Sequence, residues 1–267
     1  MSSGPDGPGG NEPLHSKEQF SRVAEAYRHS PSHSDPVSLA RFLEIADLKP
    51  NHRVLDIATG AGHVAITAAR QVREVVALDI TPAMLDQARQ LAAEREVRNI
   101  TFVQADAEEL PFPSASFDRV LVRSAPHHFV HLIPSLSEAY RVLVPGGAFA
   151  ISDCSPPPVV RDWLEIVEVG RDRSHIRSRA LEEWRALLLS MGFAVEHAER
   201  IEQEKDILEW FEVSGVSDAV SRKLLDYYET APEAVRGQLT PQWREGRFYH
   251  RYWHGLLRAR KPLEQSF

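Results

Sequence analysis

Cysteine occurs once in the 267 residues, at Cys154, and methionine only three times. A lone thiol excludes an internal disulfide and any multi-cysteine zinc site, which fits a reducing compartment; no metal is expected. No apolar run approaches the length that spans a bilayer, so no membrane partner is expected either. Positive charge is also short: 31 Lys and Arg stand against 38 Asp and Glu, a formal net charge of −7. Proteins that track phosphates usually gather a basic face, so nucleic acid is not an expected partner. The most basic segment, Phe248 to Lys261, carries the aromatic and aliphatic content of an edge strand, with an RNA-binding face as the minor alternative. Met1 to Pro13 are rich in Gly, Pro and Ser without an apolar stretch, and read as a flexible tail rather than a signal peptide. The expected location is the cytoplasm.

Hydrophobic residues make up 43% of the chain, enough for one main domain over residues 14–267. Order should begin near Ser16, where Ser16 and Gln19 form a capping-box pair and Phe20, Val23, Ala24 and Tyr27 share one helical face. Asp35 can cap a second helix, with Pro36 in its first turn and Leu39, Phe42, Leu43 and Ala46 inward, up to the break at Lys49-Pro50. The rhythm then changes. Arg53 to Ile57, Val75 to Asp79, Ile100 to Gln104, Arg119 to Val122 and Ala148 to Asp153 read as buried strands, alternating with amphipathic helices such as Pro82 to Arg95. Such alternation implies an α/β fold, a doubly wound, mostly parallel sheet with helices on both faces. The cofactor-binding core spans about 35–153. Past Asp153 come a helix around Trp163, a charged stretch Arg171 to Arg179, a helix from Ala180 to Ser190 and a strand from Phe193 to Ala198. The segments 154–180 and 204–246 read as helical insertions that cap the strand ends.

The strongest local signal is Val54-Leu55-Asp56-Ile57-Ala58-Thr59-Gly60-Ala61-Gly62-His63, a strand running into a glycine turn and a helix. Glycines there let backbone approach a ligand. Asp79 follows at the tip of the second strand, where a carboxylate can take both hydroxyls of a ribose. The turn alone does not separate NAD from S-adenosylmethionine. Three features favour the latter: Asp56 at the end of the first strand, where a pyrophosphate would be repelled; Gln104-Ala105-Asp106-Ala107, closing the third strand with an acid for an adenine amino group; and Leu143-Val144-Pro145-Gly146-Gly147, a tight turn entering the fifth long strand.

With those residues in hand, the chain resembles a class I S-adenosylmethionine-dependent methyltransferase, related to the ubiquinone and menaquinone C-methyltransferases. The likeness covers roughly Phe20 to Asp153. It implies a seven-stranded Rossmann-like sheet whose last strand, Phe248 to Arg260, is antiparallel, and S-adenosyl-L-methionine as cofactor. It implies that Ala58, Thr59, Gly60 and Gly62 cradle the amino-acid part beside Asp56, that Asp79 and neighbouring Ile80 hold the ribose, and that Asp106 and Ala107 meet the adenine. Tyr27 and Arg123 match cofactor-lining positions. Ala58 departs from the glycine that many members carry.

Methyl transfer from a sulfonium asks mainly for alignment and exclusion of water, and a base only when the nucleophile carries a proton. His127 and His128, after the fourth strand at its carboxyl end, are the candidates, His128 first, against the plainer reading that they pack beneath the cofactor. Arg171-Asp172-Arg173-Ser174-His175 resembles a run in a related subgroup, which implies Arg171, Asp172 and His175 as contacts to a polar or anionic small-molecule substrate, with His175 a further catalytic candidate; a solvated charged turn is the plain alternative. Trp163, Trp184, Trp210 and Phe211 read as core, and Cys154 as a small buried hydrophobe. Carbon or oxygen methylation of a small organic molecule is the favoured activity. A fold that binds the same cofactor for a cyclisation, and a nicotinamide oxidoreductase, are the alternatives. The sequence does not fix the oligomeric state; a homodimer is compatible with it.

Overall fold

A computed structural model describes residues 16–263; the expected tail over 1–13 lies outside them. The chain opens with helices α1 (Ser16–His29), α2 (Pro31–Ser34) and α3 (Pro36–Ala46). Asp35 caps α3 as expected, accepting the Ser38 N–H at 2.7 Å. The capping box expected at the start of α1 does not form. The Ser16 hydroxyl turns to the His128 carbonyl and the Gln19 amide donates to the Ser214 carbonyl at 3.0 Å, so both side chains tie α1 to distant segments.

The strands are β1 (Arg53–Ile57), β2 (Glu74–Asp79), β3 (Ile100–Gln104), β4 (Phe117–Arg123), β5 (Leu143–Cys154), β6 (Ala194–Asp206), β7 (Gln242–Arg244) and β8 (Arg247–Arg260). Their order is β3-β2-β1-β4-β5-β8-β6, with the short β7 paired to β8. β1 to β5 are parallel, while β8 runs antiparallel between β5 and β6. The segment expected at an edge therefore lies inside the sheet, and its arginines find partners on β6: Arg258 and Arg260 both bond Glu196. β6 itself runs to Asp206, far beyond the expected Ala198. Its Glu-rich half is the edge strand, where charge discourages pairing with another chain. The Pro145-Gly146-Gly147 turn lies within β5, whose register shifts between Phe117 and Arg119 of β4.

Strand alternation sends each face of the sheet to its own core. Val54, Val75, Ala77, Leu121 and Ala150 meet α3 and α4 (His63–Ala69). Leu55, Ile57, Val76, Val120, Val122, Phe149 and Ile151 meet α6 (Leu132–Val142) and α8 (Leu181–Ser190), where Trp184 is fully buried. α5 (Pro82–Glu94) joins β2 and β3. A third core gathers α7 (Pro158–Arg171), α9 (Ile207–Val213), α10 (Asp218–Glu229) and α11 (Glu233–Leu239) over the β8 side chains Phe248, Tyr252 and Trp253. These helices come from the two insertions.

Candidate active site

The carboxyl ends of the parallel strands open into a cavity of about 1150 Å³, counted out to its mouth. Its floor is the turn after β1, where Ala58, Gly60 and Gly62 all take positive φ, at 53°, 55° and 86°. The Gly60 N–H donates to Asp79 Oδ2 at 2.8 Å and the Thr81 N–H to Asp79 Oδ1 at 2.9 Å, which fixes the carboxylate at the tip of β2. The Thr59 hydroxyl donates to Asp56 Oδ2 at 2.6 Å. Burial raises the pKa of both acids, that of Asp56 to about 7, because the charged forms lose water. Asp106 is exposed at the rim and accepts the Glu108 N–H, while Ala107 is buried beside it.

Tyr27, Asp56, Ala58, Thr59, Gly60, Asp79, Ile80, Asp106, Ala107 and Arg123 all line this cavity. Gly62 does not. A Cβ there would stand 2.9 Å from Ala88 Cβ, so this glycine serves the contact of α4 with α5. Arg123 is directed by its donors to the His33 carbonyl at 3.0 Å and the Ser38 hydroxyl at 3.1 Å; burial lowers its pKa to about 10.

Beyond β4 a 3-10 turn, Pro126–His128, carries the two histidines into the interior. His127 Nδ1 lies 2.5 Å from Asp153 Oδ1 at the end of β5. Burial opposes a charge on this imidazole, but the Asp153 carboxylate outweighs it and holds the pKa well above the usual histidine range. With the Cys154 thiol their ligand atoms lie within 4.8 Å of one another, close enough in principle for a cation, although the short bond between imidazole and carboxylate already shares a proton. His128 is neutral: burial, then the charge on His127, lowers its pKa to about 3. Ser174 Oγ donates to Asp172 Oδ1 at 2.6 Å, so His128 Nδ1 donates to the Ser174 carbonyl at 3.1 Å and the Nε2 lone pair stays free. Asp172 Oδ2 stands 3.9 Å from that Nε2.

The run Arg171 to His175 is no solvated turn: Asp172, Ser174 and His175 are buried, and Ile176 N–H donates to the His127 carbonyl. Arg171 is held by Glu168 at 2.9 Å and the Ser214 hydroxyl at 2.5 Å, over the Trp210 ring. His175 bonds Glu165 at 2.9 Å with its ring behind that of His127, and lines neither cavity.

Adjoining the first cavity is a second, much smaller one, about 400 Å³ only when counted out into open solvent. His127, His128, Cys154 and Arg171 line it, with Lys205 and Trp210 from the β6–α9 junction and Tyr252 and His254 from β8. Tyr27, His33, Ser124 and His128 line both cavities. Of these groups, His33, Ser124, Lys205, Tyr252 and His254 were not singled out from sequence. His33 and Ser124 flank motifs that were, whereas nothing local marks Lys205 or His254. Trp210 and Phe211 are core, as read, and Cys154 is buried with its thiol donating to Ser178.

A methyltransferase-domain family model matches residues 48–215. The chain belongs to that family, the S-adenosylmethionine-dependent methyltransferases. The methyltransferase YcgJ of Bacillus subtilis, itself uncharacterized, is 32% identical over 219 residues, 81% of this chain and 87% of its own. The YcgJ crystal structure superposes with a TM-score of 0.79 over 85% of this chain and 98% of that one. A demethylmenaquinone methyltransferase of Thermus thermophilus is 38% identical over 120 residues, 44% of this chain and 54% of its own. The [4+2]-cyclase SpnF shares the fold, with a TM-score of 0.70 over 94% of this chain and 97% of its own at 17% identity. Among the described residues no helix of this methyltransferase is long and apolar enough to cross a membrane.

Proposed function

We propose that this enzyme transfers a methyl group to carbon or oxygen of a small organic molecule held in the inner cavity. The observation that carries this reading is the wall shared by the two cavities, where Tyr27, His33, Ser124 and His128 face both. Reactants seated in two cavities that share these four lining residues would be held close in a fixed geometry away from bulk water, which can remove roughly 7 to 11 kcal/mol of barrier.

The outer cavity suits S-adenosyl-L-methionine. A Cβ on Gly60 would meet nothing within 4 Å, so the turn leaves its space to a ligand. Asp56 and Asp79 are buried carboxylates that gain from a cation or from hydroxyl donors. In this reading Ala58, Thr59 and Gly60 cradle the amino-acid part, Asp79 with Ile80 holds the ribose on lone pairs left free by Gly60 and Thr81, and Asp106 with Ala107 meets the adenine. Tyr27 and Arg123 close the sides, and Gly62 sets the turn from behind. The cofactor supplies a methyl group already activated on a sulfonium.

On the inner side His128 Nε2 accepts a hydrogen bond from the methyl acceptor, and Asp172 steadies any charge that grows on the imidazole. A pKa of about 3 makes His128 a weak base, so it orients a nucleophile better than it deprotonates one. His127 and His175 are positioning residues behind it, and Arg171 forms one wall. The reading is of a cytoplasmic small-molecule enzyme without nucleic-acid or membrane partners.

The test incubates the protein with S-adenosylmethionine and a panel of phenolic and quinone-like acceptors, and follows a mass gain of one methylene. His128→Ala should leave S-adenosylhomocysteine affinity within a few-fold while slowing turnover about 100-fold. Equal loss of cofactor affinity in that variant would remove His128 from the acceptor side.

A further inference from the structure

We propose that Lys205, with His254, forms an anion-binding site in the inner cavity, and that the molecule seated there presents an oxyanion from a small ring. Lys205 leaves the edge strand β6 yet is only 8% exposed. Among the described residues its ammonium has no hydrogen-bond acceptor and no carboxylate within 4.0 Å, and instead lies over the rings of Trp210 and Tyr252, 5.3 and 5.6 Å from their centroids.

The other cations around the cavity each have hydrogen-bond partners, although Nε of Arg123 and of Arg171 is left without one among the described residues. Arg171 is paired with Glu168, His127 with Asp153, and Arg123 donates to the His33 carbonyl and the Ser38 hydroxyl. Glu209, the acid that acts most on Lys205, accepts the hydroxyls of Ser30 and Ser32. A buried ammonium without a close counterion is costly, and such groups persist where a ligand supplies the charge. Burial lowers the Lys205 pKa to about 8, so the ammonium is retained at neutral pH.

His254 stands on β8 opposite Cys154, lines the same cavity, and has a buried Nδ1 without a partner among the described residues. Burial, then the charges of Arg123 and Lys205, keep it neutral, which leaves one N–H to donate. An ammonium and a neutral imidazole facing one small cavity, edged by the Trp210 and Tyr252 rings that pack edge to face against each other, select a ring bearing a negative oxygen. That oxygen is a carboxylate or an ionised phenol or enol. Such an acceptor arrives needing no base, which agrees with the weak basicity of His128.

The inference rests on the acceptor-site reading for its link to methyl transfer, but the anion site is tested without turnover. Purified protein, free and loaded with S-adenosylhomocysteine, is titrated calorimetrically at pH 7 with benzoate and with neutral benzamide. In a parallel arm, 4-nitrophenol is followed by the absorbance of its ionised form. Benzoate should bind about 10- to 100-fold more tightly than benzamide. A bound phenol should ionise at lower pH than in solution, and whichever arm responds identifies the oxyanion.

Lys205→Met should abolish the discrimination with S-adenosylhomocysteine affinity unchanged, and Lys205→Arg should keep part of it. Equal binding of benzoate and benzamide by the wild type, together with an unshifted phenol, would overturn the anion site. So would discrimination that survives Lys205→Met. Discrimination by a protein that does not bind S-adenosylhomocysteine would leave the site standing and remove the acceptor-site reading instead.

Discussion

Gly60 and Gly62 belong to one turn yet should fail in opposite ways when replaced by alanine. At Gly62 the new Cβ would lie 2.9 Å from Ala88 Cβ, 3.2 Å from Ala88 Cα and 3.3 Å from Ile66 Cδ1, at a φ of 86°. Left-handed backbone costs a residue with a Cβ about 1–2 kcal/mol, and forcing a methyl into a packed contact costs about 1–3 kcal/mol more. Gly62→Ala should therefore lose roughly 2–5 kcal/mol of stability, which at about 2–4 °C per kcal/mol is a fall in Tm near 10 °C. At Gly60 the Cβ meets nothing within 4 Å, so the stability cost stays at about 1–2 kcal/mol. That Cβ instead occupies space at the cavity floor, and S-adenosylhomocysteine should bind at least tenfold more weakly. Urea denaturation and calorimetric titration of both variants separate the effects. Adding Ala88→Gly to Gly62→Ala should recover part of the loss, because the 2.9 Å contact disappears. Equal stability of the two single variants, or normal ligand binding by Gly60→Ala, would refute the division of roles.

Asp153→Asn should cost about 3 kcal/mol near pH 6 by leaving His127 without its counter-charge. The folded pKa of His127 is raised above its unfolded value near 6.5, so the pair's contribution is full below 6.5 and is lost as pH rises through the folded value. Urea midpoints of both proteins should differ most below pH 6.5 and draw together only as pH rises through the raised folded value, and a larger difference at high pH than at low pH would contradict the pairing. Asp56, raised to about 7, should ionise when a ligand cation enters the outer cavity. Titration with S-adenosylmethionine at pH 6.5 in two buffers of different ionisation enthalpy should then report proton release, lost in Asp56→Asn; release that survives the substitution would move the effect elsewhere. Trp184→Ala, at a fully buried side chain, should cost about 3–5 kcal/mol and leave little folded protein at elevated temperature, read from a melt followed by circular dichroism.

Arg53 to Ile57 could be read to the residue because a parallel strand buried on both faces is short, apolar and bounded by turns; Ile100 to Gln104, the half-exposed strand at the sheet's edge, was legible instead from its β-branched and aromatic residues. β6 was not. From Glu199 to Asp206 six of eight residues are charged, with Glu202 and Glu204 exposed and Lys205 buried, and the pairing with β8 that makes it a strand is invisible locally. The outer cavity was legible because one strand-turn-helix and two strand tips supply most of it. The inner cavity gathers His33, Cys154, Lys205 and His254 from positions more than two hundred residues apart at the extremes, so no spacing announces it. Gly62 shows the limit within a motif: its place in the turn suggested a ligand contact, and its neighbours show a packing role.

The most direct test of the central claim is a parallel calorimetric titration of the wild type and of Asp79→Ala with S-adenosylmethionine, S-adenosylhomocysteine and NAD. Micromolar binding of the first two by the wild type, none of NAD, and a loss of about 100-fold in Asp79→Ala are expected, because that carboxylate fixes the Gly60 turn and, in the proposed reading, holds the ribose. Binding of NAD alone, or affinity for S-adenosylmethionine unmoved by Asp79→Ala, would contradict the claim.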